Sequence, residues 1–179
     1  MNLTTVDSLL DVVRRGTRAH DGEAVDLLDH MLQCAALLAE SAPDDLELQV
    51  AGLVHDLGTV LEPHEPATHA ITGAASVESL LGSRVAALVG GHDHAKRYLV
   101  SFDPGYRALL SEMSVATLAL QGGAMDAAEG TSFRAGEHFA SLVALRRADD
   151  AAKVPGRRVP ELDEWRTKLE RLAKLQSRS

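Results

Sequence analysis

The sequence predicts an all-α protein, and three observations support this fold class. Apolar residues make up 45% of the chain and aromatic residues only 3%, so the core must consist mainly of Leu, Ala and Val. Leu and Ala favour helix, and apolar positions recur at intervals of three and four residues in most segments. No segment alternates with a period of two over a useful length and no internal repeat occurs, so strands and repeat architectures are not predicted.

The first two helices are predicted from this periodicity and from the residues that end it. The first extends from Val6 to about Ala19. The second covers residues 24–40, carries His30 and ends before Pro43, because proline cannot continue a helix.

The third helix is predicted to begin at Asp44, because acidic side chains suit the positive end of the helix dipole. Gly58 suits the C-terminal end of this helix, which places the adjacent His55 and Asp56 in its last turn. A loop with two prolines follows, and the fourth helix is predicted to start at His69.

The fifth helix is predicted over residues 84–99, with a disturbance at Gly90 and Gly91. Pro104 and Gly105 then break the chain before a segment that extends from residue 106 to residue 121.

The last third of the chain is predicted to contain a loop over residues 122–131 and a long helix over about 136–153, which carries Asp149. Pro160 introduces a charged C-terminal helix over 160–179. A chain of 179 residues fits one core, so residues 1–179 are predicted to form one domain.

Charge and composition exclude several classes of protein. The formal net charge of −8 disfavours a nucleic-acid-binding surface, which needs clustered Lys and Arg to neutralise phosphates. No run of about 18 apolar residues is available to cross a bilayer, and the N-terminus lacks the features of a signal peptide. We therefore expect a cytoplasmic protein with no membrane partner. Its one cysteine, Cys34, excludes an internal disulfide and is expected in the core.

Six ionisable residues lie on five predicted helices near points where apolar faces must meet: His30, His55, Asp56, His69, His92 and Asp149. A helical bundle can bring such side chains together in its interior. An unpaired buried Asp56 would be costly, whereas a metal cation or a hydrogen-bonding partner offsets the cost. Because a carboxylate has two oxygens, Asp56 could bridge two ions. Nitrogen and oxygen ligands without sulfur suit Fe, Mn, Co, Ni or Zn. The alternative is that Asp56 caps a helix or pairs with an arginine while His55 packs in the core.

The order of these residues resembles the HD-domain superfamily, an all-helical family with a metal site in its core, whose members are mostly metal-dependent phosphohydrolases. Further segments resemble a narrower group, the mixed-valent diiron oxygenases that degrade organophosphonates and are relatives of myo-inositol oxygenase. The most specific segments are AKRYL, LQGGAM and RRADDAAKVPG. The resemblance covers roughly residues 16–156.

The resemblance implies a ligand set for two iron ions. His30, His55, Asp56 and Asp149 would hold one ion, while Asp56, His69 and His92 would hold the other, with Asp56 as the bridge. The family pattern His-x-x-x-Gly-Ala favours His69 over His64, and the spacing of four residues to Lys96 favours His92 over His94. Asp149 is preferred to Asp150 because it stands four residues before Lys153.

The resemblance also implies contacts to a phosphonate. Lys96 would bind the anion and Arg146 would clamp it bidentately, whereas the alternatives are a surface lysine and a salt bridge to a neighbouring acidic helix. Ser114 and Gln121 are further candidates for substrate oxygens, or residues that hold a loop.

Two positions depart from the family pattern. The family has a Tyr-x-x-Glu element before its first histidine ligand, in which the Tyr caps an iron and the Glu receives a substrate ammonium group. Here Glu23 is retained, but His20 replaces the Tyr, either as a displaceable iron ligand or as an exposed loop residue. Thr59 stands where relatives often have His or Lys, so a basic contact to the anionic end of the substrate is lost.

The resemblance implies an enzyme with an Fe(II)/Fe(III) pair that uses O2 to cleave the carbon-phosphorus bond of a small 1-hydroxyphosphonate, with or without an amino or alkylammonium group. The products would be a carboxylic acid and phosphate. Two other hypotheses stay open. One is an HD-type phosphohydrolase that uses Mn, Co, Ni or Zn to activate water, and the other is a non-catalytic metal- or ligand-binding HD domain. The sequence gives no oligomeric state.

Overall fold

The computed structural model describes residues 2–17, 19 and 22–177, which form helices joined by turns and loops, without a strand. The α-helices are α1 (Val6–Arg14), α2 (Leu27–Ser41), α3 (Leu46–Val54), α4 (Leu57–Leu61), α5 (His69–Leu81), α6 (Ser83–Phe102), α7 (Glu112–Leu120), α8 (Ala127–Ala135), α9 (Phe139–Ala151) and α10 (Arg166–Gln176). Two 3₁₀ helices, Tyr106–Leu109 and Leu162–Trp165, precede α7 and α10. The predicted all-α class is confirmed.

Five helices and the short α4 surround the constellation of histidines and aspartates. α5 packs along α6, α2 contacts both α3 and α9, and α6 contacts α3 and α9. The core between them is aliphatic, with fully buried Met31, Leu53, Leu88 and Leu145. Burial of each such side chain contributes roughly 1.5–3 kcal/mol. Within the described residues, no helix combines the length and apolar character needed to cross a membrane.

Side-chain caps set where α2 and α3 begin. The Asp26 carboxylate accepts a hydrogen bond from the backbone N–H of Asp29, and the Asp45 carboxylate accepts one from the backbone N–H of Leu48. These bonds satisfy N–H groups that have no partner in the first turn of a helix. The second helix therefore begins at Leu27, a little later than predicted, because the residue before it has extended backbone and serves as the cap.

The predicted third helix is interrupted at the His55–Asp56 pair, and its predicted end at Gly58 is wrong. α3 ends at Val54, the pair forms a turn, and Gly58 lies inside α4. A Cβ atom on Gly58 would lie 1.9 Å from the carbonyl oxygen of His69. The missing side chain lets α4 approach the start of α5, which carries the Asp56 turn towards His69.

Replacing Gly58 by alanine is expected to lower the free energy of unfolding by about 1–3 kcal/mol, because the new methyl group must displace the backbone of α5. Urea denaturation measures this change. Gly90→Ala is a matched control inside α6, where the new Cβ would lie 3.3 Å from the Cβ of Ala74 and alanine favours the helix. Equal denaturation midpoints for the two variants would contradict the close packing of α4 on α5.

Two further expectations about helix continuity are wrong. α6 continues through the glycine pair without interruption. A Cβ on Gly91 would lie 2.8 Å from Cδ2 of Leu142, so this glycine allows α6 to pack closely on α9. The predicted loop over 122–131 contains the start of α8. Asp126 and Glu129 form a capping box there, in which each side chain accepts a hydrogen bond from the other residue's backbone N–H.

Helix ends also differ from the prediction in α1, α9 and α10. α1 ends at Arg14 rather than near Ala19, because the chain tightens into a turn in which Arg15 N–H bonds Val12 O. α9 covers Phe139–Ala151, which is shorter at both ends than predicted, and a 3₁₀ turn precedes α10.

Candidate metal centre

The four histidines of the constellation hold their rings in the same way. Each Nδ1 lies 2.7–3.0 Å from a backbone carbonyl oxygen, in the pairs His30–Ala152, His55–Gly52, His69–Pro66 and His92–Val89. A carbonyl oxygen can only accept, so each Nδ1 carries a proton and donates it. Each Nε2 is thereby oriented as a potential metal ligand, with its ring fixed by the backbone.

Two of these histidines and two carboxylates form the first group of ligand atoms. Nε2 of His30 lies 3.1 Å from Nε2 of His55, 3.2 Å from Oδ1 of Asp149 and 3.4 Å from Oδ2 of Asp56. Nε2 of His55 lies 3.4 Å from the same Asp56 oxygen and 3.8 Å from the same Asp149 oxygen. The group thus combines side chains from α2, the turn between α3 and α4, and α9.

The other oxygen of Asp56 belongs to a second group. Oδ1 of Asp56 lies 3.5 Å from Nε2 of His69 and 3.8 Å from Nε2 of His92, and these two nitrogens are 3.1 Å apart. His69 is the first residue of α5, and His92 lies in the middle of α6. Asp56 therefore faces both groups, with one oxygen towards each.

Both groups fit a metal ion. Because each Nδ1 already carries a proton, two Nε2 atoms can lie 3.1 Å apart without repulsion only when a proton or a metal cation lies between them. Ligands that sit about 2.1 Å from one ion are themselves separated by about 3–3.7 Å, which is close to the spacing within each group. The set of nitrogen and oxygen donors without sulfur suits iron, manganese or zinc.

The electrostatics of the first group favour positive charge. Burial lowers the pKa of His30, but hydrogen bonds to Asp149 and Asp56 outweigh it and raise this pKa to about 10. Burial alone would raise the pKa of Asp56, yet His55 and His30 hold it well below its usual value. In the second group burial lowers the pKa of His92 to about 4, so this imidazole is neutral at pH 7. A metal ion held by the first group would displace the proton of His30, because neutral imidazole and ionised carboxylate are the forms that bind metals.

A cavity of about 330 Å³ lies against both groups. This volume suits a small molecule. α7 supplies an apolar part of its wall with Met113, Ala116 and Leu120. The residues proposed from the sequence to contact a substrate all line this cavity: Glu23, Thr59, Lys96, Ser114, Gln121 and Arg146.

The Lys96 side chain points into this interior and is only 2% exposed, which excludes the alternative of a surface lysine. Its ammonium group donates a hydrogen bond to the Thr117 hydroxyl at 3.0 Å. Burial, reinforced by the nearby charge of Arg146, lowers the pKa of Lys96 to about 8. The ammonium group is therefore charged at neutral pH, and its hydrogen-bond partner is a neutral hydroxyl rather than a carboxylate. An anion in the cavity would stabilise this buried charge.

The Arg146 guanidinium is buried among acidic and hydroxyl groups. Nη1 lies 2.9 Å from Oδ2 of Asp149, Nη2 pairs with Asp150, and Nε donates to the Tyr106 hydroxyl at 3.0 Å. The Tyr106 hydroxyl in turn donates to Asp150. The salt bridge considered as an alternative is thus present, although within one helix. Arg146 holds one oxygen of Asp149 while the other faces His30, and it still lines the cavity.

Ser114 and Gln121 present polar atoms to the cavity. The Ser114 hydroxyl lies 3.4 Å from Nη2 of Arg146 and 3.3 Å from Nζ of Lys153. Among the described residues, the buried Oε1 of Gln121 finds no hydrogen-bond donor. An unsatisfied buried amide oxygen is costly, so a ligand group in the cavity would be stabilised by it, directly or after rotation of the amide.

Glu23 meets a cation of the protein itself. Its carboxylate accepts hydrogen bonds from Nζ of Lys153 at 2.5 Å and from the Ser111 hydroxyl at 2.6 Å. His20 lies outside the described residues, so its part in the site stays a hypothesis. His64 and His94 are exposed and do not line the cavity.

Sequence reasoning missed three features of this site. Lys153 served only as a spacing marker, although it contacts Glu23 and lines the cavity. Asp93, directly after His92, is buried beside both histidines of the second group. Asp150 supports Arg146. The sequence did contain a signal for Asp93. It stands three residues before Lys96 in a predicted helix, and this spacing places both side chains on one face.

Comparison with known proteins is consistent with this geometry. A family model described as HD domain matches residues 27–126. The chain is 35% identical over 174 residues to hydroxymethylphosphonate dioxygenase from Gimesia maris, covering 92% of this chain and 86% of the relative. It is also 35% identical over 156 residues to [1-hydroxy-2-(trimethylamino)ethyl]phosphonate dioxygenase (glycine-betaine-forming) from Leisingera caerulea, covering 83% and 79%. An uncharacterised protein of Acanthamoeba polyphaga mimivirus is 30% identical over 175 residues, covering 92% and 78%.

Proposed function

Because the chain belongs to the HD-domain family and matches its phosphonate-degrading oxygenases, we propose that it is an O2-dependent diiron oxygenase that cleaves the carbon-phosphorus bond of a small 1-hydroxyphosphonate. The observation that carries the proposal is the division of Asp56 between two groups of ligands. One oxygen faces His30 and His55 and the other faces His69 and His92, beside a cavity that contains buried Lys96. Two metal ions and one small anion fit this arrangement.

The proposed ligands are divided as the family resemblance implies. His30, His55, Asp56 and Asp149 would hold one ion, and Asp56, His69 and His92 would hold the other. The iron pair, when bound, supplies the one-electron chemistry that O2 and a carbon-hydrogen bond require. In the overall reaction, R–CH(OH)–PO3H2 and O2 yield R–COOH and H3PO4, so both oxygen atoms appear in the products.

The protein contributes charge and position to this reaction. Lys96 attracts the phosphonate, because its ammonium group is buried at the cavity wall and carries positive charge at neutral pH. Arg146 fixes Asp149 through one oxygen and adds positive charge beside the cavity. The apolar side chains of α7, including Met113 and Leu120, limit the access of water.

The tail of the substrate would extend towards Glu23, which the resemblance assigns to a substrate ammonium group. In the structure this carboxylate contacts Lys153, so a cationic tail would have to share Glu23 with the lysine. The ratio of kcat/KM for hydroxymethylphosphonate and for [1-hydroxy-2-(trimethylamino)ethyl]phosphonate therefore measures whether Glu23 favours a cationic substrate. Thr59 lines the same cavity and offers a hydroxyl where a basic contact is absent.

The decisive experiment is phosphate release with and without O2. Iron-loaded protein is expected to release one phosphate per O2 consumed from a 1-hydroxyphosphonate and none under anaerobic conditions. EPR of the protein as purified is expected to detect a mixed-valent diiron signal that changes when the phosphonate is added. Equal phosphate release without O2, or higher activity with Mn or Co on a phosphate ester, would instead indicate a phosphohydrolase. Tight metal retention without turnover on either class would indicate a non-catalytic domain.

Replacing Lys96 by methionine is expected to raise KM for the phosphonate by about 10- to 100-fold, because a hydrogen bond to a charged group contributes about 1.5–3 kcal/mol. Iron content should stay at the wild-type level, since no ligand is removed. Steady-state kinetics and metal analysis check both statements. Loss of iron from this variant would show that Lys96 supports the metal centre rather than the substrate.

The KM of the wild-type enzyme should depend on pH through the same residue. Lys96 is protonated below its pKa of about 8, so KM is expected to rise as pH increases through 8 and the ammonium loses its charge. Lys96→Met should lack this increase, and the difference between the two profiles removes the effect of phosphonate ionisation. Parallel profiles would contradict a role for this ammonium group in binding.

A further inference from the structure

Asp93 is a buried carboxylate that the proposed ligand sets do not use. It lies in α6 directly after His92, is 7% exposed and lines the cavity. Among the described residues its oxygens accept no hydrogen bond and meet no Lys or Arg nitrogen within 4 Å. The nitrogens nearest to them belong to the two histidines of the second group, at 3.6 Å for Nε2 of His92 and 3.8 Å for Nδ1 of His69.

A buried carboxylate without a hydrogen bond is costly unless a cation lies near it. The ring nitrogens beside Asp93 do not neutralise it. Nδ1 of His69 donates to the carbonyl oxygen of Pro66, and Nδ1 of His92 donates to the carbonyl oxygen of Val89. Lys96, one turn further along α6, directs its ammonium to the Thr117 hydroxyl. The space that Asp93 shares with His92 and His69 adjoins the cavity and is open to a compensating cation.

The two groups of ligand atoms are unequal without Asp93. Among the described residues, the first group receives atoms from four residues, whereas the second receives atoms from Asp56, His69 and His92. The distance of 3.6 Å from Oδ1 of Asp93 to Nε2 of His92 falls within the 3.5–3.8 Å that separate Oδ1 of Asp56 from the histidine nitrogens of this group. Towards His92, Asp93 thus has the spacing of a neighbouring ligand.

We infer that Asp93 supplies a fourth protein ligand to the metal ion held by Asp56, His69 and His92. The inference rests on the two-ion centre of the proposed function. A second carboxylate makes this position harder and more anionic, which favours iron or manganese over softer ions. It also leaves positions open for oxygen atoms of a substrate, because six-coordinate ions of this kind need two more ligands beyond four from the protein.

Titration of the metal-free, full-length protein with Mn²⁺ tests the inference without turnover. The wild type is expected to bind two equivalents, and Asp93→Asn to bind the first unchanged while its affinity for the second falls at least about tenfold. His92→Ala provides the benchmark for loss of the second ion. His94→Gln is the matched control, because His94 directly follows Asp93 but is exposed, and this variant should bind both ions like the wild type.

Thermal unfolding separates a ligand from a residue that supports the fold. Without metal, Asp93→Asn should unfold at the wild-type temperature or higher, because an unpaired buried charge has been removed. With Mn²⁺ its stabilisation should be smaller than that of the wild type. Asp93→Glu, which keeps the carboxylate, should recover part of the second affinity.

One result would overturn the inference. Wild-type Mn²⁺ affinities at both positions in Asp93→Asn would exclude Asp93 as a ligand, whether or not the substitution changes KM for a substrate. Failure of the proposed oxygenase reaction would appear separately, as absence of O2-dependent phosphate release, while the Mn²⁺ titration would remain interpretable.

Discussion

Asp56→Asn is expected to abolish the two-ion centre and to reduce kcat for phosphonate cleavage by about three orders of magnitude or more. The carboxylate directs one oxygen to His30 and His55 and the other to His69 and His92. An asparagine keeps the size but offers a single neutral oxygen, so it cannot bridge two cations. Because a metal ion contributes several kcal/mol to a barrier and each 1.36 kcal/mol is tenfold in rate, loss of an ion has an effect of this size.

Metal analysis and single-substrate kinetics on the same preparation measure the two effects of Asp56→Asn. Asp103→Asn is the matched control, because that carboxylate pairs with Arg147 at 2.6 Å near the surface, away from the cavity. It should retain the full metal content and wild-type turnover. Two bound ions and unimpaired turnover in Asp56→Asn would contradict the bridging role.

Arg146→Met is expected to lower the free energy of unfolding by about 3–5 kcal/mol, the second large effect. The guanidinium is 3% exposed and pairs with both Asp149 and Asp150. Removing it leaves the buried Asp149 and the partly buried Asp150 without their guanidinium partner, and breaking a buried ion pair from one side costs about this much. Urea denaturation of the metal-free protein measures the loss.

The double variant Arg146→Met/Asp150→Asn tests the reason for that loss. It should be more stable than Arg146→Met alone, because the second change removes one of the stranded charges. Arg166→Met is the control for a surface pair, since the side chains of Arg166 and Asp7 are both exposed, and its urea midpoint should stay close to that of the wild type. A double variant less stable than the single one would contradict the electrostatic explanation.

Helix periodicity, proline and the acidic starts of helices are local signals, and they were sufficient for the helical class and for most of the helices. Local signals failed at glycines that were predicted to end or disturb a helix but instead allow two helices to pack closely. Gly58 looks like the end of a helix but allows α4 to contact α5, and Gly91 in α6 makes room for Leu142. Such contacts join residues far apart in sequence, so periodicity does not contain them.

The same distinction applies to the site. The order and spacing of His30, His55, Asp56, His69, His92 and Asp149 follow from the chain, and the structure brings these residues into two adjoining groups. The division of Asp56 between the groups, the pairing of Glu23 with Lys153 and the isolation of the Asp93 carboxylate depend on how the helices pack. Spacing along a helix specifies which face a side chain occupies, whereas its partner comes from another helix and is selected by burial and charge.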